Sequence, residues 1–221
     1  MKTLNTSPLK VGRLTKLERA QFSLSTDLKN ILVGLLLGDL CAVKQTKGVN
    51  VRLHFEQGLV HKDYLYHLYD LFETYCTTAP KITDRLPHWQ TGKIYTRAKF
   101  QTCTLPCFNE LYDLFYPDGK KVVPKNIGDL LTPLGLAYWI GDDGSYCKRH
   151  HKLILATNSY SLEEINLLTN SLVDKFNLVC TINKSNSGYV IVIPPSSMPN
   201  LKSLLANVMP SMMRHKIDLT L

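Results

Sequence analysis

Leu32-Val33-Gly34-Leu35-Leu36-Leu37-Gly38-Asp39-Leu40 returns about half a chain later as Leu136-Ala137-Tyr138-Trp139-Ile140-Gly141-Asp142-Asp143-Gly144. In both stretches apolar and small residues run for two helical turns, and the eighth position is an aspartate. Aligning Asp39 with Asp143 sets an offset of 104 residues, and the order of elements after the first copy recurs after the second. Taken singly, either acid reads as the polar terminus of a helix hairpin. A chain that repeats one module and keeps an acid at the same place in each copy predicts a two-fold site.

The paired stretches resemble the motif helices of the LAGLIDADG homing endonucleases, in the single-chain form with two motifs, and in particular its intron-encoded organellar members. The likeness continues through Phe108-Asn109-Glu110-Leu111, Lys120-Lys121-Val122-Val123-Pro124, Leu131-Thr132-Pro133 and Met212-Met213. It covers residues 28–217 and leaves the first 27 unmatched. One such motif is weak, because apolar helices ending in Asp are common; two with matching connectors are strong. The resemblance implies an α+β fold of two pseudo-symmetric αββαββα modules. Their motif helices would pack at the central interface, and two antiparallel sheets would form a DNA-binding saddle. The corresponding domains are a basic extension over 1–27, a first module over 28–118, a linker over 119–127 and a second module over 128–221.

Composition agrees and would not have found this. The net charge is +8, from 26 Lys and Arg against 18 Asp and Glu, which favours a polyanionic partner, most simply nucleic acid. The longest apolar run, Ile31 to Leu37, is far short of the ~20 residues a membrane span needs. The six cysteines form no Cys-x-x-Cys pair and no His/Cys zinc spacing, so they read as thiols in a reducing compartment. Residues 1–27 carry Lys2, Lys10, Arg13, Lys16 and Arg19, and read equally as a transit-like segment or as a basic arm along DNA.

Periodicity predicts a motif helix over 28–40, a strand at Val51–Glu56 and a helix at Lys62–Tyr75. Extended segments near 80–86 and 93–102 and a helix at 106–115 complete the first half. Pro117-Asp118-Gly119 is a turn signature that opens the linker. The second half repeats the series: helix 132–143, strand Leu153–Thr157, helix Leu162–Phe176, strands near 179–184 and 188–193, and a helix over 198–208. Ser161 with Glu164 three residues on is a capping box. Gly34 and Gly38 on one motif helix, and Ala137 and Gly141 on the other, are the small positions expected to let the two backbones approach.

In Lys93-Ile94-Tyr95-Thr96-Arg97-Ala98-Lys99-Phe100-Gln101, alternate residues are Lys93, Tyr95, Arg97, Lys99 and Gln101. A period of two puts that row on one face and Ile94, Thr96, Ala98 and Phe100 on the other. Arg52-x-His54-x-Glu56 repeats the pattern. Long, mostly cationic side chains on one face suit a β-ribbon in the major groove, where Lys and Arg reach guanine and Gln reaches adenine. Lys148, Arg149, Lys152 and Lys184 are the second half's candidates for DNA contact, with His150-His151 on the same basic loop.

Phosphodiester hydrolysis needs an in-line water, a stabilised leaving oxygen and neutralised phosphate charge, all of which divalent ions supply. Mg²⁺ (or Mn²⁺) wants carboxylate and carbonyl oxygens and keeps several waters. A helix C-terminus offers carbonyls with partial negative charge, and an Asp there adds a full one. The expected metal donors are thus the Asp39 and Asp143 carboxylates with the carbonyls of Gly38 and Asp142. The resemblance adds one lysine per module: Lys121 in the first, and in the second either His215 by ungapped alignment or Lys216 by its Lys-aliphatic context, which favours Lys216. Glu56 matches a polar position near the cleavage centre, while its counterpart is Ala156, so the halves are expected to cut at unequal rates. The implied protein is a monomeric, metal-dependent endonuclease for one long asymmetric duplex DNA site. It would leave short 3′ overhangs, promote mobility of its intron and be encoded in a mitochondrion or chloroplast. An intron maturase that binds intron RNA on the same fold is the alternative. A DNA-binding regulator without nuclease activity would not need two acids.

Overall fold

A computed structural model of the chain describes residues 14–219; Lys2, Lys10 and Arg13 of the basic extension lie outside the described residues. The first half runs α1 (Lys16–Ala20), α2 (Thr26–Leu37), β1 (Cys41–Lys44), β2 (Val51–Gly58), α3 (Lys62–Phe72), β3 (Lys81–Asp84), β4 (Thr96–Gln101) and α4 (Asn109–Phe115). Then follow α5 (Ile127–Leu130), α6 (Pro133–Asp143), β5 (Gly144–Cys147), β6 (Lys152–Ala156), α7 (Leu162–Phe176), β7 (Thr181–Ser185), β8 (Gly188–Ile193) and α8 (Met198–Leu205). A 3₁₀ segment, Ser211–Ile217, comes last. The α+β class with two four-stranded antiparallel sheets is as expected. No helix among the described residues is long and apolar enough to cross a membrane.

Residues 14–24 with Leu40–Tyr112 form one compact unit; Ser25–Asp39 with the chain from Asp113 onward forms the other. Both motif helices therefore belong to the second unit. The repeat follows sequence order and assigns α2 to the first module, whereas compactness follows contacts, and α2 packs on α6.

In the first unit the strand order is β1-β2-β4-β3. Val51, Leu53 and Phe55 of β2, with Ala98 and Phe100 of β4, are buried beneath α3, which contributes Tyr64, Leu65, Leu68 and Phe72. Phe55 stacks on Phe100 with ring centroids 4.4 Å apart and meets Phe72 at 5.2 Å. The alternation that buries this row turns Arg52, His54 and Glu56 to the other face, as the period of two requires.

In the second unit the order is β5-β6-β8-β7, and Leu153, Leu155, Ile191 and Ile193 are fully buried. The Ser161–Glu164 capping box forms as expected, and α7 ends at Asn177 in the left-handed region. Ile31 to Leu37 and Gly135 to Gly141 are buried without a break. A helix segment that is apolar all round must be enclosed all round, which explains why Ile31–Leu37 and Gly135–Gly141 carry no charged residue. The backbones come closest where Gly34 faces Gly135: a Cβ on Gly34 would overlap the Gly135 carbonyl. Gly135, rather than Ala137 or Gly141, is the small residue opposite Gly34. Each helix starts on a hydroxyl cap, Ser25 Oγ accepting from Leu28 N–H and Thr132 Oγ1 from Gly135 N–H.

Two departures from expectation have simple causes. β1 and β5 were not located because each has four residues and begins within two positions of a motif acid, leaving no room for a readable alternation. The row Lys93 to Gln101 is strand only from Thr96. Ile94, expected inside, is 60% exposed, and Leu86, Trp89 and Tyr95 are also in solvent. Both rows of this segment are uncovered, so Lys93 and Tyr95 sit in the β3–β4 connection rather than on the sheet.

Candidate active site

The motif acids end their helices in different ways. α2 stops at Leu37; Gly38 N–H still donates to Gly34 O and Leu35 O, and Asp39 follows outside the helix. α6 stays helical through Asp143, and Gly144 N–H closes it on Ile140 O while already beginning β5. Asp39 is exposed and Asp143 half-buried. Asp142 joins the two ends, because its Oδ2 accepts a 3.0 Å hydrogen bond from Asp39 N–H. Gly38 leaves room for this: a Cβ there would lie 2.6 Å from Asp142 Cβ and Oδ2. The expected donor was the Asp142 carbonyl; the structure gives its carboxylate a task across the helix pair.

Tyr160, which sequence reasoning passed over, holds the end of α2 from the other side. Its buried hydroxyl donates to Leu37 O at 2.8 Å. Burial, then the nearby Asp143 charge, pushes the phenol well above its ordinary pKa, so it stays a donor. One tyrosine among eleven, in a turn before a cap, carries no sequence signal for this contact. Tyr160→Phe should cost about 0.5–1.5 kcal/mol, read by urea unfolding; an unchanged midpoint would show that Leu37 O finds another donor.

Two lysines reach the helix ends. Lys121 Nζ donates to Gly38 O at 2.6 Å, and Lys216 Nζ donates to Gly144 O at 2.8 Å. His215 instead is exposed and sits against Met212 O at 2.9 Å, so of the two alternatives it is Lys216 that reaches α6. The contacts are out of register by two residues, since Gly38 precedes its acid and Gly144 follows it. Burial, then the charge of Asp39, pushes the Asp143 carboxyl up to about 7, with Lys121 and Lys216 pulling against the shift. Burial likewise lowers Lys216, opposed by Asp142, Asp143 and Asp39. These groups share one electrostatic environment.

The donor chemistry fits a hard divalent ion. Carboxylates that repel one another, one of them half-buried, flank backbone carbonyls at helix C-termini, and all of these are oxygen donors. Among the described residues no three His, Cys, Asp or Glu side chains form a closed cluster. Mg²⁺ at 100-fold over its Kd should stabilise the protein by about 2.7 kcal/mol, and Asp143→Asn should lose most of that gain. Melts with and without EDTA read this directly; equal shifts in both proteins would place the ion elsewhere.

The residues expected to contact DNA divide by sheet. On the first, Arg52, His54, Glu56, Arg97, Lys99 and Gln101 share one face, with Glu56 opposite Lys99 and His54 opposite Gln101. The Glu56 carboxylate bonds Arg85 at 2.5 Å and Arg97 at 2.7 Å. Burial raises its pKa, but the hydrogen bonds and charges of Arg97 and Arg85 outweigh that and hold it below the ordinary value. In this structure Glu56 thus orients two arginines. Arg85 had no sequence signal, lying in a segment read only as extended. Burial, then the charges of Arg52 and Lys99, lowers the His54 imidazole pKa. On the second sheet Lys148 and Arg149 are exposed in the β5–β6 turn and Lys152 opens β6. Lys184 pairs with Tyr189, which puts it on the row of Ile182 and Ile191, not on that of Asn183 and Val190.

Paired acids on two abutting helices, each followed by a four-stranded sheet, define a duplicated α+β architecture with a common acidic centre. The chain belongs to the LAGLIDADG DNA endonuclease family, which matches residues 29–201. It is 37% identical over 206 residues to the cytochrome b mRNA maturase bI2 of Saccharomyces cerevisiae, covering 88% of this chain and 48% of that protein. It thus spans about half the length of that relative. A probable intron-encoded endonuclease of Wickerhamomyces canadensis is 32% identical, with 78% of this chain and 75% of the relative covered. Among solved structures, the homing endonuclease I-WcaI bound to its DNA recognition sequence superimposes with a TM-score of 0.87 at 26% identity. That match covers 96% of this chain and 97% of the other.

Proposed function

We propose that the protein is a site-specific homing endonuclease that hydrolyses both strands of a long, asymmetric duplex DNA target. The observation that carries this reading is the pairing of Asp39 and Asp143 at the ends of two packed helices, each end also bonded by a lysine. When bound, Mg²⁺ or Mn²⁺ supplies the charge that neutralises the phosphate and acidifies a water. Asp39 and Asp143 hold that charge, one serving each strand. Lys121 and Lys216, anchored through backbone carbonyls, face the phosphate and screen its charge. Arg52, Arg97, Lys99 and Gln101 read base edges. The reaction leaves short 3′ overhangs and promotes spread of the intron that encodes the protein in an organelle, and the protein acts as a monomer.

The experiment adds Mg²⁺ to the purified protein and a plasmid carrying the uninterrupted host gene. Linear product with one pair of ends is expected; an intact plasmid at all Mg²⁺ and Mn²⁺ concentrations would refute nuclease action. A second reading, an RNA-binding splicing maturase, is favoured by the 37% identity to the bI2 maturases of Saccharomyces cerevisiae and Debaryomyces hansenii. In that case the plasmid stays whole and the intron transcript binds more tightly than the duplex.

Duplex binding should weaken steeply with salt, because cationic side chains displace condensed counterions. Six to ten phosphate contacts predict a loss on the order of 10³–10⁵ between 50 and 200 mM. A flat curve in a filter-binding titration would point to a different partner.

A further inference from the structure

The two sheets have the same strand order, so their outward-facing positions can be compared rung by rung. On the first, Cys41, His54 and Gln101 share one rung, and Glu56, Lys99 and Lys81 share the next. On the second, Ser145, Ile154, Val192 and Thr181 form one rung, and Ala156, Val190 and Asn183 the next. Cys41 and Ser145 each stand two residues past a motif acid, which fixes the correspondence. Ile154 then occupies the place of His54, Val192 that of Gln101, Ala156 that of Glu56 and Val190 that of Lys99. The positions that are polar or charged on one sheet are apolar on the other.

Val192 is buried, at 5% exposed, but Ile154, Ala156 and Val190 are not part of the second sheet's core. The core is the alternate row, Leu153, Leu155, Ile191 and Ile193, each 0% exposed. Ala156 is exposed, and Ile154 and Val190 are half-buried. Thr181 and Asn183, also exposed, close the two rungs at the β7 edge.

We propose that the second sheet reads thymine C5-methyl groups, so that the target is a duplex with a thymine-rich half-site beneath β6 and β8. This deepens the endonuclease reading and rests on it. The methyl of thymine is the apolar group that the major groove displays, and Ile, Val and Ala are side chains that can meet it without a hydrogen bond. Guanine or cytosine edges set against the same residues would leave donors and acceptors desolvated and unmatched, which discriminates against them. Asn183, beside Val190, is placed to bond the adenine edge of an A·T pair. A duplex is the favoured occupant because Lys152 keeps a cation where Arg52 stands on the first sheet, and exposed Lys148 and Arg149 flank it in the β5–β6 turn.

The test is binding-site selection from a random duplex library in EDTA, followed by uracil-for-thymine replacement in one half of the recovered site at a time. Expected is a recovered site with thymine enriched in one half, whose replacement by uracil weakens binding about fourfold per contacted methyl and leaves the other half's contribution within twofold. Val190→Lys, which restores the first sheet's residue, should move the preference at its contact from thymine to guanine while the melting temperature holds. A recovered site with no thymine-rich half, or equal uracil effects in both halves, overturns the proposal while leaving the endonuclease reading intact. Failure to enrich any duplex overturns both.

Discussion

Replacing either helix-terminal acid by its amide, Asp39→Asn or Asp143→Asn, is expected to end double-strand cleavage while duplex binding changes little. Both substitutions keep shape and remove a charge from the shared centre in which Asp143 is held up to about 7 by burial and by Asp39. A single preorganised electrostatic group of this kind is worth on the order of 10²–10³ in rate, so linear plasmid should fall below detection in a single-turnover assay. Nicked circles are the informative by-product, expected if each acid serves one strand. Either variant cutting both strands at near the parental rate would defeat the two-site assignment.

The largest effect on stability is expected from Gly34→Leu. A Cβ at this position overlaps a backbone carbonyl, that of Gly135, which has no rotamer by which to yield. The helices must separate along a seam buried on both sides. Overpacking of a tight core costs ~1–3 kcal/mol out of a total of ~5–15 kcal/mol, and backbone obstruction puts this case at the upper end. Gly38→Leu is the contrast: its Cβ would meet the Asp142 side chain, which can move. That variant should fold, lose the Asp142 bond to Asp39 N–H and cut poorly. Thermal melts beside plasmid cleavage separate the two; equal melting of both variants and the parent would mean that the glycines do not face the partner helix.

Much of the centre was legible because its grammar is local. An acid at a fixed position after two apolar turns and a capping Ser with Glu three residues on can each be read from neighbours in the chain, whereas Lys121 came from the family resemblance. What escaped reading depends on distant partners. Asp142 bonds Asp39 across 103 residues and Tyr160 bonds Leu37 across 123, and no periodicity encodes either. Glu56 stood out as a carboxylate at a useful place, but its two arginines could be assigned only once β2, β3 and β4 were in register. The same holds for the apolar outer rungs of the second sheet, where a Val or Ile in a strand reads as core until its pairing shows which face it occupies.

The burial of α2 against α6 also has a consequence for synthesis. Ile31 to Leu37 is an uncharged, proline-free run whose partner lies about 100 residues downstream. At ~5–20 residues per second the ribosome leaves this helix exposed for roughly 5–20 s before α6 emerges to cover it. Such a segment is prone to self-association while it waits. Yield in the host should therefore depend on translation speed between these helices and on chaperones that hold apolar chain, more than on the stability of the finished protein.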